Sequence, residues 1–262
     1  MSARKTIRVA TYNVLAQSYL RREWYQNSPA EALDPSARLE ALTRRLIELD
    51  ADILCLQEVE GPVFSALEGA LAPRGYAGSF LQKGRGKPDG CATFLREARL
   101  ELERRGGIVY LDGDPPSGHV AQVAATRFAG SLLGVIDTHV RWDQPDKAPA
   151  EHVGCRQARQ LIAEHRQLFP GCRGWVVAGD FNATPDSDVV AAMLAGGFRS
   201  AHPSDLATCN ANNKAKLIDY LFVSERLGAS PLAPPKIDGD TPLPGPGEPS
   251  DHLPLVAELW WE

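Results

Sequence analysis

Apolar segments that end in acidic or amide residues recur along the sequence, and they limit the folds that the chain can adopt. In GWVVAGDFN, an apolar run ends in Asp180, Phe181 and Asn182. Successive side chains of a strand point to opposite faces, so Asp180 and Asn182 are predicted on one face and Phe181 in the core. The sequence therefore predicts a buried strand whose end presents a polar pair that needs a partner.

Strand and helix patterns alternate through the first part of the chain. TIRVATYN predicts a strand that ends at Asn13, and DILCLQEVE predicts a nearly continuous apolar strand that ends with Glu58. Between them, Asp34 and Pro35 form a helix start signal that is followed by leucines at helical spacing. A second amphipathic helix is predicted at 62–72.

The alternation continues after a basic, glycine-rich segment, QKGRGKPDG, which is followed by the predicted strand CATFLR. HVAQVAATRF and SLLGVIDTHV predict a hairpin with Ala129 and Gly130 at its turn and His139 near the end of its second strand. Helices are predicted at 151–168 and from Ser187 to Leu194.

The last part of the chain predicts two strands separated by an irregular segment. LIDYLFV predicts a strand that carries Asp219. Residues 228–250 concentrate proline and glycine, which indicates an irregular loop. DHLPLVAELWWE then predicts a strand that joins the same sheets, so residues 1–262 are interpreted as a single domain.

Composition excludes several classes of protein. The five cysteines are scattered and form no C-x-x-C pair, which argues against a disulfide framework or a zinc site and indicates a reducing cytoplasm. No signal peptide or membrane-spanning segment is recognisable. The net charge of −5 is unlike that of a protein that coats long nucleic acids, although contact with a few phosphates remains compatible with it.

Each polar residue at a strand end has a structural explanation when it is taken singly. Asn13 could cap a turn, and Glu58 could be a solvated strand end. Asp180 follows glycine, a combination common in turns. His139 and His252 could each be a hydrogen-bonded structural histidine.

Their joint recurrence favours a shared site, because packed sheets bring strand ends together at one rim. Carboxylates and amides without a thiolate offer hard oxygen ligands, which suit Mg²⁺ or Mn²⁺ better than zinc. Clustered carboxylates would repel one another without a cation, and two added histidines indicate phosphate chemistry. The residues of this cluster are Asn13, Glu58, His139, Asp180, Asn182, Asp219, Asp251 and His252.

Six motifs then identify a family. YN, LQEVE, DTH, GDFNATPDS, LIDYLF and PSDH resemble, in order and spacing, the endonuclease/exonuclease/phosphatase superfamily, and they span nearly the whole chain. YNVLAQSY, KPDGCATFLR and PSDHLPLVAEL look most like the branch that holds the poly(A) deadenylases, nocturnin and the 2′-phosphodiesterases. The resemblance implies an α/β (α+β), deoxyribonuclease-I-like four-layer sandwich. Two mixed sheets pack face to face, helices lie outside, and the site lies along one edge.

The resemblance also implies a metal site. Glu58 would be the principal ligand of Mg²⁺, for which Mn²⁺ can substitute. Asn13 and Asp251 would lie nearby in the metal or phosphate shell.

Roles in catalysis are implied in the same way. Asp180 would orient or deprotonate the attacking water, and Asn182 would hold the same water or a phosphoryl oxygen. His139 and His252 would donate to the phosphate. Asp219 would hold the imidazole of His252 in its tautomer and favour its charged form.

The chain departs from the deadenylases just before the IDY motif, where they usually carry an asparagine and an aromatic residue that hold the terminal adenine. Here Asn210 would serve as the asparagine, while Lys214 stands near the place of the aromatic. Stacking on an aromatic is worth ~1–3 kcal/mol per base, so its loss argues against a strong adenine preference.

Other basic residues have two readings each. Lys214 either contacts a phosphate or is a solvated lysine. Arg141 either contacts a second phosphate or is a solvent-exposed surface residue. Lys83, Arg85 and Lys87 form either a mobile flap over the substrate or a flexible exposed loop.

The expected activity is that of a Mg²⁺-dependent phosphodiesterase, a 3′–5′ exoribonuclease that acts on RNA 3′ ends or short oligonucleotides. The alternative is a phosphatase or phosphodiesterase acting on a small nucleotide such as NADP(H) or a 2′,5′-oligoadenylate. A scaffold without catalysis is disfavoured because every position keeps a chemically competent residue. No membrane and no obligatory protein partner is expected.

Overall fold

Two six-stranded mixed sheets form the centre of the computed structural model, which describes residues 4–144 and 152–262. The first sheet has the order β11-β12-β1-β2-β4-β3 and the second the order β5-β6-β7-β8-β10-β9. The strands are β1 (Ile7–Asn13), β2 (Ile53–Glu60), β3 (Tyr76–Gln82), β4 (Asp89–Arg96), β5 (Glu101–Val109), β6 (Val120–Phe128), β7 (Ser131–His139), β8 (Gly174–Asp180), β9 (Phe198–Ser200), β10 (Asp219–Ser224), β11 (Leu227–Leu232) and β12 (Leu255–Trp261).

Helices cover the outer faces of the two sheets. On the first sheet, α1 (Pro35–Leu49) and α2 (Gly61–Leu71) bury leucines against β1 and β2. On the second sheet, α3 (Val153–Leu168) and α4 (Asp188–Ala195) pack against β7 and β8. A third apolar cluster fills the space between the sheets. The predicted four-layer sandwich is confirmed. Among the described residues, no helix has the length and apolar character needed to span a bilayer.

The start of α1 shows how the sequence fixes a helix locally. The carboxylate of Asp34 accepts hydrogen bonds from the backbone N–H groups of Ser36 and Ala37, and Pro35 occupies the first turn. These contacts satisfy donors that a helix start leaves free. Leu42 and Leu46 then lie buried, and burying one such side chain contributes about 1.5–3 kcal/mol.

Strand direction explains why the polar residues meet at one rim. The parallel pairs β1–β2 and β7–β8 end there, so His139 lies opposite Asp180 in the sheet register. β10 runs antiparallel to β8 and begins at that rim, which places Asp219 opposite Asp180. Asp219 therefore opens its strand, and Asp251 precedes β12, which runs antiparallel to β1.

The element predictions are largely confirmed, with corrections at four strands. The hairpin turn lies at Ala129 and Gly130, both with positive φ, as predicted. The segment 228–250 is not wholly irregular, because β11 takes up its first residues as an edge strand, a position that tolerates proline. Strands β3, β5 and β9 are not predicted by the sequence patterns. Residue 151 lies outside the described residues, and the single-domain interpretation stays a prediction.

A buried polar contact joins the two sheets beneath the rim. The Nε2 atom of Gln57 in β2 donates to Oδ1 of Asp137 in β7 at 2.7 Å, and the Thr93 hydroxyl lies 3.4 Å from Oδ2. Asp137 is fully buried, and this burial raises the pKa of its carboxyl group well above the ordinary value. Burial therefore favours the neutral form of Asp137 in the folded protein.

Replacing Asp137 with Asn is expected to remove a pH dependence of stability. Because its pKa is raised, the carboxyl group keeps its proton in the folded protein at pH values where the unfolded chain, above the ordinary pKa of aspartate, has released it. As pH rises through that window, the native protein loses about 1.4 kcal/mol of unfolding free energy per pH unit through this group. Urea unfolding should show the difference growing with pH in favour of Asp137→Asn. A pH-independent difference would contradict a neutral Asp137.

Candidate active site

A β-bulge turns Glu58 out of its strand and into the cleft. The pairing of β2 with β4 shifts register between Leu56 and Val59, and Glu58 has a φ of 58°. Its Oε1 accepts from Nδ2 of Asn13 at 3.1 Å and its Oε2 from the backbone N–H of Ala16 at 3.0 Å. Such a left-handed backbone is uncommon outside glycine and marks a position held by its surroundings.

Asn13 connects the two sheets at the rim. Its Nδ2 also donates to Oδ2 of Asp180 at 2.9 Å, while its Oδ1 accepts from the backbone N–H of Leu15 at 3.0 Å. The amide thus holds a carboxylate from each sheet, Glu58 and Asp180. Both N–H bonds of the Asn13 side chain are used in these two contacts.

Asn182 lies beside Asp180, as the strand pattern predicts, and Phe181 points into the core. The backbone N–H of Asn182 donates to Oδ1 of Asp180 at 2.8 Å. Its Nδ2 donates to the carbonyl of Val140 at 3.0 Å and lies 3.0 Å from Nε2 of His139. Asn182 therefore fixes the orientation of both the carboxylate and the imidazole.

Two buried histidines flank Asp180. The Nε2 atoms of His139 and His252 lie 3.6 Å and 3.8 Å from its Oδ2. Nδ1 of His252 contacts Asp219 at 2.9 Å. The histidine pair thus presents two imidazoles to one carboxylate, with a second carboxylate behind one of them.

The two histidines differ in charge. Burial lowers the pKa of His139 well below its ordinary value, and the Lys83 ammonium lowers it further. Burial also opposes protonation of His252, but the Asp219 carboxylate and the Cys209 sulfur together outweigh it and hold the pKa of His252 well above the ordinary value. Burial, followed by repulsion from Asp219, raises the pKa of Asp180 to about 7. The site therefore combines a neutral imidazole, an imidazolium and a carboxylate that titrates near neutral pH.

The donor set fits a hard divalent cation. Burial raises the pKa of Glu58, and repulsion from Asp251 adds to this effect, so the two carboxylates act on the same space. Oδ2 of Asp251 accepts from the Tyr25 hydroxyl at 3.0 Å, whereas its buried Oδ1 has no partner among the described residues. A bound Mg²⁺ would satisfy this buried carboxylate oxygen.

Lys83 corrects the prediction of a flap or an exposed loop. Its side chain is 2% exposed, and Nζ lies 2.5 Å from Oδ2 of Asp89 and 3.1 Å from Nδ1 of His139. Asp89 also accepts from the Tyr19 hydroxyl at 2.6 Å. Sequence reasoning missed this buried cation because only long-range packing distinguishes Lys83 from Lys87 in the same basic segment.

Cys209 corrects the prediction of a cluster without sulfur. Its thiol is buried, and its sulfur and one ligand atom each of Asp251 and His252 all lie within 4.8 Å of one another. The sequence offered no signal for this placement, because the usual spacing of zinc ligands is absent.

The three predicted substrate-binding residues lie outside the central cluster. Arg141 is exposed, with its backbone N–H held by Oε1 of Gln157 at 2.8 Å. The Nδ2 atom of Asn210 donates to the carbonyl of Thr241 at 2.7 Å and to that of Gly239 at 3.3 Å. Lys214 is exposed at the end of a short 3₁₀ turn. The amide of Asn210 therefore fixes a loop, and its Oδ1 is buried without a partner in the described part of the chain.

This fold and this site define the class of the protein, which is that of the phosphoric ester hydrolases. A model described as the Endonuclease/Exonuclease/phosphatase family matches residues 10–252, so the chain belongs to that family. The superfamily predicted from the six motifs is confirmed.

Individual relatives agree with the predicted branch. Carbon catabolite repressor protein 4 homolog 4 of Arabidopsis thaliana is 25% identical, over 96% of this chain and 77% of that protein. Human 2′,5′-phosphodiesterase 12 is 24% identical over 98% of this chain, which spans 52% of that protein's length. A crystal structure of ANGEL2, a 2′,3′-cyclic phosphatase, has the same fold, with a TM-score of 0.83 at 20% identity over 98% of this chain and 96% of that one.

Removing the Lys83 ammonium should destabilise the protein through the charge it leaves behind. Lys83→Met is expected to lower the unfolding free energy by about 3–5 kcal/mol, because Asp89 becomes an unpaired buried carboxylate. Urea unfolding measures the change. Adding Asp89→Asn to Lys83→Met removes that charge and should recover much of the loss. Additive losses in the double variant would contradict the ion pair.

Proposed function

We propose that the chain is a Mg²⁺-dependent phosphodiesterase, a 3′–5′ exoribonuclease that releases nucleotides from RNA or short oligonucleotides. The observation that carries the proposal is the pairing of neutral His139 and charged His252 around Asp180, with Glu58 and Asp251 on the metal side. A phosphodiester needs donors for its developing negative charge and a base for the attacking water, and this arrangement offers both.

The metal would be held by Glu58 and Asp251, with Asn13 in the surrounding shell fixing Glu58. When bound, Mg²⁺ or Mn²⁺ supplies positive charge that stabilises the phosphoryl oxygens. Both carboxylates come from the rim, and burial of Glu58 disfavours its charged form without a cation.

The remaining residues bind, orient and move protons. Asp180 accepts the proton of the attacking water. A carboxylate with a pKa of about 7 is deprotonated in a large fraction of molecules at neutral pH and is still basic enough to take a proton. Asn182 holds Asp180 and orients the water or a phosphoryl oxygen. His252 donates a charged hydrogen bond to the phosphate and His139 a neutral one, and Asp219 keeps His252 protonated.

The substrate would extend from the cluster along the exposed basic residues. Arg141, which follows His139 by two residues, contacts a second phosphate, and Lys214 contacts the backbone of a longer substrate. Asn210 borders the base through its free Oδ1 while its amide holds the loop at 239–241. Lys214 cannot stack a base as an aromatic residue does, so discrimination for adenine is expected to be weak.

A small nucleotide such as NADP(H) or a 2′,5′-oligoadenylate is the second candidate substrate. The net charge of −5 favours compact substrates over long RNA. The names of two similar proteins, a 2′,5′-phosphodiesterase and a 2′,3′-cyclic phosphatase, point to the same range of substrates.

Metal dependence and substrate class are testable in one experiment. Purified protein with Mg²⁺ should shorten labelled oligo(A) and mixed-sequence RNA stepwise from the 3′ end, and EDTA should stop it. Free phosphate from NADP(H), or cleavage of 2′,5′-oligoadenylate without an RNA ladder, would favour the second candidate. Glu58→Gln should lose most activity. Glu225→Gln, an exposed change after β10 at the opposite rim, should not. Full activity of Glu58→Gln would overturn the metal assignment.

Asp219→Asn should separate the charge of His252 from its position. The loss of a charged donor is expected to lower kcat/KM by ~10²- to 10³-fold. An NMR titration should show the pKa of His252 falling in Asp219→Asn, because the largest influence that opposes burial is then removed. The exposed change Glu225→Gln at the opposite rim serves as the control and should alter neither quantity. An unchanged His252 pKa in Asp219→Asn would contradict the proposed role.

A further inference from the structure

Cys209 is the one cysteine of the described residues that lies in a mixed set of metal-ligating side chains. Cys209 and His252 form an isolated β-bridge, and the backbone N–H of Asn210 donates to the carbonyl of Asp251 at 2.9 Å. These backbone contacts hold the segment around Cys209 against the segment around His252. The pairing of these two backbone segments therefore places the Cys209 thiol next to His252.

One ligand atom of each member of the set lies close to those of the other two. Oδ2 of Asp251 is used by the Tyr25 hydroxyl, while Oδ1 is buried, unpartnered among the described residues and 4.0 Å from Nε2 of His252. Nδ1 of His252 is used by Asp219, which leaves Nε2 on the side of the set. The Cys209 sulfur accepts a long contact from the backbone N–H of Ala211 at 3.4 Å and is also hydrogen-bonded to His252. Asp251 is 95% buried, so water has little access to its unpartnered Oδ1.

We propose that Cys209, Asp251 and His252 form a binding site for a soft divalent cation of the Zn²⁺ class, with the Cys209 sulfur, Oδ1 of Asp251 and Nε2 of His252 as ligands. One sulfur, one nitrogen and one oxygen match the donors that Zn²⁺ accepts, and a fourth position is left for water. Mg²⁺ does not take a thiolate, so sulfur separates this site from the oxygen site at Glu58. On binding, the thiol proton of Cys209 and the Nε2 proton of the His252 imidazolium leave to solvent, and bonds from sulfur and nitrogen to the metal replace the S–H and N–H bonds.

Occupancy of this site would inhibit the enzyme, an inference that rests on the proposed function. A cation bound to Nε2 of His252 removes the charged donor from the phosphate. It also withdraws Asp251 from the space that Asp251 shares with Glu58. The same two side chains would thus serve either the phosphodiesterase or the soft cation, and the choice between them depends on the supply of that cation.

The binding part of the proposal has a readout that is independent of activity. Co²⁺ titrated into the metal-free protein without substrate should produce a thiolate-to-metal charge-transfer band in the near ultraviolet, and Zn²⁺ should displace it. Cys209→Ser should abolish the band, whereas Cys172→Ser should retain it. No band in the native protein, or a band that persists in Cys209→Ser, would overturn the site. If Cys209→Ser fails to fold, Zn²⁺ protection of Cys209 from alkylation in the native protein, mapped by mass spectrometry, decides.

The regulatory part is tested on the same proteins under Mg²⁺. The Zn²⁺ concentration that halves phosphodiesterase activity should rise at least about tenfold in Cys209→Ser relative to the native protein, each scaled to its own uninhibited rate. Cys172→Ser should match the native protein. Equal inhibition of native protein and Cys209→Ser would refute regulation through this site. A protein without phosphodiesterase activity but with the Co²⁺ band would refute the proposed function and leave the cation site supported.

Discussion

The face-to-face packing of the two sheets is the constraint on which the site depends. It brings the end of β1 against the end of β8, so that one amide, that of Asn13, can donate to Glu58 of the first sheet and to Asp180 of the second. Below the rim, Gln57 and Asp137 repeat the connection in the dry interior. Interiors packed to crystal-like density do not slide, so these contacts fix the separation of the two halves of the site. A shift of one sheet relative to the other would move Glu58 away from Asp180.

The same packing buries carboxylates close to one another at the rim. Burial pushes Glu58 and Asp180 toward their neutral forms, and nearby carboxylates push them further. The described part of the chain answers with buried cations, among them Lys83 paired to Asp89, His252 paired to Asp219, and Arg38. None of these three side chains is hydrogen-bonded to Glu58, whose pKa stays raised although the Lys83 ammonium lowers it. Under the proposed function, a divalent ion beside Glu58 would supply the further positive charge that a bound phosphate needs.

The sequence predicted the elements and the central cluster because both follow from local rules. Alternation along a strand placed Phe181 inside and Asp180 at the rim, and capping residues located α1. Features that depend on long-range contacts were not predicted. The bulge that turns Glu58 outward depends on the pairing of β2 with β4. The burial of Lys83 depends on β3, whose residues are of intermediate burial and give no alternating pattern. Edge strand β11 was hidden by its proline content, which an edge position tolerates.

Cys209 illustrates the limit of reasoning from spacing more sharply than the missed strands. Zinc ligands are usually recognised by close pairs in sequence, but here about forty residues separate the thiol from the imidazole, and a single β-bridge closes the distance. A hydrolase that works with hard oxygen ligands has reason to exclude sulfur from its metal site, since thiolate attracts the ions that bind most tightly. Under the two proposals, a thiol beside Asp251 and His252 would make the activity depend on which divalent cations are present, because the phosphate and a soft metal would both require His252.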